Sequence, residues 1–297
     1  MHVGIVLLVV LCFLFIGCDK GIPYDEGTVD VYFCPEEDCR SVWMEVFKTE
    51  SGFLCAFYDL SDNEFIDFLQ KRNAEVLVYE ENFDGYGRYV YSKGLMHNKF
   101  CVGEDLVVTG SVNPTGNGFE KNQNNLVVIE SDLIAENYRR EWDELRDYRA
   151  YATPYPVVNL SGRVVETLFC PEDGCSDRVG EILGDGRESV DFAVFSFTDK
   201  RLGSILVGLK GVESRGLFDP RLNEKYSVYG LLEEHSKKYA GSGKLHHKFF
   251  VVDGSVVVTG SYNPSKNGNE RNDENLLIIW DEDIATEYEE EFERLWN

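Results

Sequence analysis

The sequence predicts an α/β fold built twice over, as two duplicated mixed-sheet halves. Three observations carry this reading. Short fragments recur in the same order in the two halves of the chain. Within each half, β-branched and aromatic runs alternate with stretches of helical period, the pattern of layered α/β units. The stretch LHHKFFVVDGSVVVTGSYNPSKNG, residues 245–268, restates LMHNKFCVGEDLVVTGSVNPTGNG, residues 95–118.

Size and composition fit that prediction. A chain of 297 residues can bury two ordinary cores, and 43% hydrophobic with 28% charged residues describes a globular protein. The formal net charge is −24. Such a surface repels phosphate backbones and anionic lipid at long range, which counts against a general nucleic-acid coat but leaves room for a local basic pocket.

The elements follow in order. Residues 1–28 form a leader and linker. Val3 to Ile16 is almost wholly apolar and precedes Gly17-Cys18-Asp19-Lys20. That length suits the hydrophobic region of a signal better than a membrane span. FIGC resembles a lipobox, in which Cys18 is lipidated and becomes the mature N-terminus. A cleaved signal, an uncleaved anchor and a buried helix are the other readings. The first three put the body outside the cytoplasm. The first half covers residues 29–150, the second 163–297. FCPE recurs at 33 and 169, LCAFYDLSD at 54 matches DFAVFSFTD at 191, and GSVNP at 110 matches GSYNP at 260. Each half closes on a helical face: Ile134, Ala135, Tyr138, Trp142 and Leu145, then Ile284, Ala285, Tyr288, Phe292 and Leu295. Residues 151–162, rich in Tyr and Pro and without periodicity, read as an extended linker. Asn159-Leu160-Ser161 within it is a glycosylation triplet of a kind common by chance.

The eight cysteines fit an extracytoplasmic body. Cys12 and Cys18 belong to the leader. The close pairs Cys34/Cys39 and Cys170/Cys175 read as two local disulfides; the same four thiols could instead ligate zinc or stay free. Cys55 and Cys101 lie in apolar runs and are expected to be buried free thiols.

The repeated motif reads as a strand, turn and strand. Side chains two apart on a strand share a face, so His97 and Lys99 point one way, as do His246 and Lys248, while Asn98 and His247 point the other. An imidazole beside an ammonium suits a phosphoryl anion: the lysine binds charge and the histidine attacks or moves a proton. One His-x-Lys is ordinarily a polar strand face. Two copies, each followed by Thr-Gly-Ser-x-Asn-Pro at fixed distance, point to chemistry. Gly110 and Gly260 would let backbone approach a ligand, and Ser111, Asn113, Ser261 and Asn263 would supply neutral donors to a phosphate.

This pattern, His-x-Lys, then Asp, then Gly-Ser-x-Asn, resembles the HKD signature of the phospholipase D superfamily over roughly residues 29–297. The second copy is complete, with His246, Lys248, Asp253, Gly260, Ser261 and Asn263. The first departs at one place, where Glu104 stands for the aspartate. Strand parity sets residue 104 away from His97, so Glu104 and Asp253 are expected to support structure. The resemblance implies that the two halves meet at a pseudo-twofold axis and build one site, so that a monomer acts as a pseudo-dimer. It implies one histidine as nucleophile, forming a phosphohistidine, and the other as acid and then base, in opposite protonation states. It implies no metal and no cofactor, with the paired lysines stabilising charge.

Past Gly-Ser-x-Asn the family often carries a carboxylate that orients the histidine of the opposite half. Glu274 stands there in the second half and Asn124 in the first. Crossed pairing would make His97 the nucleophile and His246 the acid, whereas Glu274 could also be a solvated strand-edge charge. A phospholipid headgroup is the favoured phosphodiester, since the leader would tether the protein at a membrane. An extracellular metal-independent endonuclease is the alternative, and a catalytically silent binding module a third class. Lys237, Lys238, Lys244, Lys248, Lys266 and Arg271 are expected to form a positive patch around the second motif.

Overall fold

A computed structural model describes residues 21–297. The apolar leader, Cys12 and Cys18 lie outside the described residues. Two mixed sheets hold the strands. The first, seven-stranded, runs in space Thr28–Cys34, Asn124–Glu130, Leu106–Gly110, Lys99–Val102, Leu54–Phe57, Glu75–Tyr79, Arg88–Val90. The second repeats that order with Arg163–Cys170, Glu274–Trp280, Val256–Gly260, Lys248–Val252, Ser189–Val194, Glu213–Phe218, Ser236–Lys238. The duplication read from the sequence is thus a duplication of topology.

The second sheet carries two further strands on its outer edge. Val157–Leu160 pairs antiparallel with Arg163–Cys170, and Tyr24–Asp25 pairs parallel with Val157–Leu160. Part of the segment expected to be an extended linker is therefore a strand. Its buried Val158 and Leu160, alternating with half-buried Val157 and Asn159, meet a partner that nothing in local sequence announces. Asp25 also accepts from the Ser131 hydroxyl at 2.6 Å, tying the start of the body to the first half.

Three apolar clusters hold the layers. One lies outside each sheet, within its own half. The third is shared: the helices Asp132–Asp147 and Glu282–Trp296 press Tyr138, Trp142, Tyr288 and Phe292 into a core that both sheets line. Aromatic edges cross between halves, Tyr138 to Phe169 at 5.2 Å and Phe33 to Tyr288 at 5.1 Å. Asparagines bridge the same seam. Asn275 donates to Asn98 at 2.8 Å, and Asn125 donates to Thr259 at 2.8 Å and Tyr288 at 2.9 Å. Backbone pairs repeat across the axis: His97 N–H to the Asp273 carbonyl and His246 N–H to the Gln123 carbonyl, both 2.8 Å.

Cys34–Cys39 and Cys170–Cys175 are disulfides. Cys55 and Cys101, expected as free thiols, are a third. They face each other across the Leu54–Phe57 and Lys99–Val102 strands, a register that apolar context alone does not reveal.

Candidate active site

His97 and His246 sit at equivalent ends of the two central strands and line one cleft of about 480 Å³. Both rings are buried. Tyr58 packs edge-on to His97 at 4.9 Å and Phe195 tilts against His246 at 5.0 Å, each aromatic coming from the neighbouring strand end.

The chain crosses over to hold each histidine. Glu274 Oε2 stands 2.6 Å from His97 Nδ1, and the carboxylate also accepts from the Ser261 hydroxyl at 3.0 Å and Asn272 at 3.1 Å. Asn124 Oδ1 stands 2.8 Å from His246 Nδ1, with the Ser111 carbonyl at 3.1 Å. The Asn124 amide nitrogen donates to the carbonyls of Gly118 and Asn122, which turns its oxygen toward the ring. Acceptors at both Nδ1 atoms place the proton there, so both Nε2 atoms are left to the cleft. The two copies therefore share a tautomer and differ in charge: a carboxylate behind His97, a neutral amide behind His246.

Lys99 and Lys248 lie beneath the histidines, and each donates to the carbonyl of its own histidine, at 2.5 and 2.6 Å. Burial lowers Lys99 to about 7 against the pull of Glu274 and Asp59. Burial and Lys99 drop Lys248 well below its ordinary value. Burial also brings His97 down to about 4, although Glu274 raises it, and holds His246 well below the usual range with Lys248 and Lys99 adding to the effect. Four buried groups that each resist positive charge are what an incoming phosphate anion relieves.

Asn113 and Asn263 line the cleft, each with an amide oxygen that has no partner among the described residues. Ser111 and Ser261, expected to donate to phosphate, are fully buried and turned inward. Their hydroxyls bond Asn124 and Glu274 and accept from the backbone of Asn125 and Asn275. They position the residues behind the histidines. Gly110 and Gly260 hold φ +131° and +137°, and a Cβ there would meet the carbonyls of Asn125 and Asn275 at 2.3 and 2.4 Å. The close approach is to the neighbouring strand, not to a ligand. Asp253, itself at φ 52°, caps a turn by accepting from the backbone of Arg187, Glu188 and Ser189. Glu104 is exposed in the matching turn, where Arg139 binds its carbonyl.

The expected positive patch does not assemble. Lys237 lies over Trp296, Lys238 pairs with Glu224 at 2.6 Å, and Arg271 donates to the Lys93 carbonyl. Lys244 lines the cleft, with its ammonium 5.7 Å from the centre of the Phe195 ring that Lys248 approaches to 5.6 Å. Neighbours in sequence diverge here because the strand Ser236–Lys238 lies at the far sheet edge. Sequence reasoning also passed over the groups behind the motif. Asn98 donates to buried Glu141 at 2.8 Å, and His247 lies 2.9 Å from Glu291. The two glutamates occupy equivalent positions on the terminal helices, and that recurrence was the available signal.

Residues 55–146 and 180–296 match the profile of the family described as cardiolipin synthase, PLD-like domain. A mitochondrial cardiolipin hydrolase of Xenopus tropicalis is 31% identical over 168 residues, covering 54% of this chain and 80% of the relative. A phospholipase D of Rickettsia bellii is 29% identical over 141 residues, 45% of this chain and 70% of the relative. A phosphatidylserine synthase of Haemophilus influenzae shares the fold across 89% of this chain and 86% of its own, with a TM-score of 0.65 at 12% identity.

Proposed function

Because the chain belongs to the phospholipase D-like family of the cardiolipin synthase type, and is a phosphodiesterase hydrolase of that kind, we propose that it cleaves a phospholipid phosphodiester through a phosphohistidine on His97. The observation that carries the assignment is the 2.6 Å contact of Glu274 with His97, set against the neutral Asn124 behind His246.

In the first step His97 Nε2 forms a bond to phosphorus while the bond to the leaving oxygen breaks. The phosphorylated ring keeps its Nδ1 proton and is cationic in character, and Glu274 stabilises that charge. His246 delivers a proton from Nε2 to the departing oxygen. Without a carboxylate behind it, its imidazolium is the more acidic of the two, which suits a donor. An arriving phosphate supplies the negative charge that lets His246 carry that proton. In the second step neutral His246 takes a proton from water as the water oxygen attacks phosphorus and the bond to His97 breaks. Lys99 and Lys248 bind the nonbridging oxygens, with Asn113 and Asn263 beside them. The relatives' names and the leader ahead of Cys18 support a membrane-tethered lipid hydrolase outside the cytoplasm, acting as a monomer with two pseudo-equivalent halves.

The test compares cardiolipin, phosphatidylcholine and single-stranded DNA on the body from residue 21, with acid-labile label sought on each histidine. Lipid turnover, with label on His97 in the His246→Ala protein, is the expected result. Label on His246 in His97→Ala reverses the roles. Preferential turnover of DNA replaces the lipid reading with a nuclease.

A further inference from the structure

We propose that Asp59 is a specificity-determining residue that accepts a hydrogen bond from a protonated amine on the substrate's alcohol moiety, selecting such phosphodiesters over nucleic acid. This rests on the phosphodiesterase reading of the cleft and narrows its substrate.

Asp59 is the one carboxylate among the described residues that line the cleft. It follows Tyr58, whose ring packs on His97, so it stands at the mouth of the nucleophile's side. The side chain is half-buried, and its oxygens form no hydrogen bond or ion pair with the described residues. The carboxylates behind the two motifs, by contrast, are committed: Glu274 to His97, Ser261 and Asn272, and Glu141 to Asn98. A carboxylate left open in a phosphate cleft repels the very charge that the lysines attract. It is tolerable where the ligand brings a compensating cation.

The pseudo-twofold axis sharpens this. The position equivalent to Asp59 is Ser196, in the same cleft and neutral. The position equivalent to Lys244 is Leu95, also in the cleft and apolar. The phosphate centre is thus nearly symmetric while its surroundings are not. One added anion and one added cation line the same space without touching each other. The shared centre needs neither, so the asymmetry belongs to what flanks the phosphate. A polyanionic strand would meet Asp59 on a protein already at −24, whereas an alkylammonium would meet an open acceptor.

The competing account is that Asp59 serves the buried lysine, since it helps keep Lys99 charged. The two differ in what a substitution does across substrates. Asp59→Asn keeps the shape, and Asp59→Ser installs the residue of the other half. The experiment measures kcat/KM on short-chain phosphatidylethanolamine and phosphatidylglycerol with the same tails, and on a single-stranded oligonucleotide. Wild type should prefer ethanolamine, and both variants should lower the ethanolamine-to-glycerol ratio about tenfold while the oligonucleotide gains. An unchanged ratio, or equal loss on all three, overturns the proposal; equal loss assigns Asp59 to Lys99. Titration calorimetry with phosphoethanolamine and glycerol 3-phosphate separates this from the reading of the reaction. If no phosphodiester turns over, that reading fails, yet tighter phosphoethanolamine binding that is lost in Asp59→Asn still supports the specificity role. Equal binding of the two phosphates to wild type overturns it.

Discussion

Arg294 and Glu144 occupy equivalent places on the two terminal helices, 150 residues apart, and give the two sides of the central seam opposite electrostatics. Arg294 bridges Glu291 at 2.7 Å and Glu36 at 2.8 Å and donates to Gln123 at 2.5 Å. Burial works against the Glu291 charge, yet His247 and Arg294 hold its carboxyl below the ordinary value. On the other side Glu141, Glu144, Glu172 and Asp273 stand at the positions of Glu291, Arg294, Glu36 and Gln123. A guanidinium is replaced there by a carboxylate and an amide by another. Burial, followed by mutual repulsion with Asp273, Glu144 and Glu172, lifts Glu141 well above its usual range. Burial, with Glu172 and Glu144 adding to it, pushes Asp273 up to about 7.

The acidic side of the seam should therefore be pH-sensitive. A carboxyl raised in the folded state binds its proton more tightly there than in the unfolded chain. Its stabilising effect is complete below about pH 4 and is lost as pH rises toward 7. Lys93, Arg149 and Arg271 line the neighbouring cleft beside Glu270, and no ion pair joins these three cations to Glu144, Glu172 or Asp273 among the described residues. The buried histidines are shifted down and titrate in the opposite sense, so the total curve mixes both. Glu144→Arg isolates the cluster. Its melting temperature should exceed wild type by several degrees at pH 8 and by less at pH 5.5. An equal gain at both pH values contradicts the coupling.

The charge behind each histidine should divide their roles. Glu274→Gln should lower kcat roughly 10²-fold with little change in KM, because the carboxylate acts on the phosphorylated ring more than on bound substrate. Asn124→Asp should raise the basicity of His246 and move the alkaline limb of the pH–rate profile upward. A symmetric response of the two positions would show that the histidines are interchangeable.

The three disulfides should differ in weight. The Cys55–Cys101 bond closes 46 residues and the other two close 5 each. In the chain-entropy account the long loop contributes about 4 kcal/mol and each short one about 2 kcal/mol. Urea unfolding of the paired Cys→Ala variants measures this order. Alkylation without reduction should leave all six cysteines unmodified, and labelling of Cys55 or Cys101 would remove that bond.

The halves should not survive separation. Residues 163–297 alone would expose Phe169, Phe249 and Tyr288, which the first half covers, and would leave His246 without Asn124. Expressed alone, that segment should be insoluble or inactive. A soluble, active monomer would contradict a shared core and site.

Much of this was legible because duplication prints a pattern twice. The two His-x-Lys motifs, the terminal helices and the alternation of strand and helix are local, and their periods appear in sequence. Strand parity also read correctly that Asn98 and His247 turn away from the cleft, toward Glu141 and Glu291. What depended on tertiary structure were the relations between distant segments that no motif announced; the crossed pairing of Glu274 with His97 was expected only through the family resemblance. The partner of Cys55 follows from strand register, the strand at Val157–Leu160 from an edge provided by Arg163–Cys170, and the dispersal of Lys237 and Lys238 from sheet order. The inward turn of Ser111 and Ser261 follows from how closely Asn125 and Asn275 approach Gly110 and Gly260. The physical reason is the same in each case. Propensity and periodicity are properties of a few neighbouring residues, whereas a pairing or a packed contact forms only when the chain has brought its other member into place.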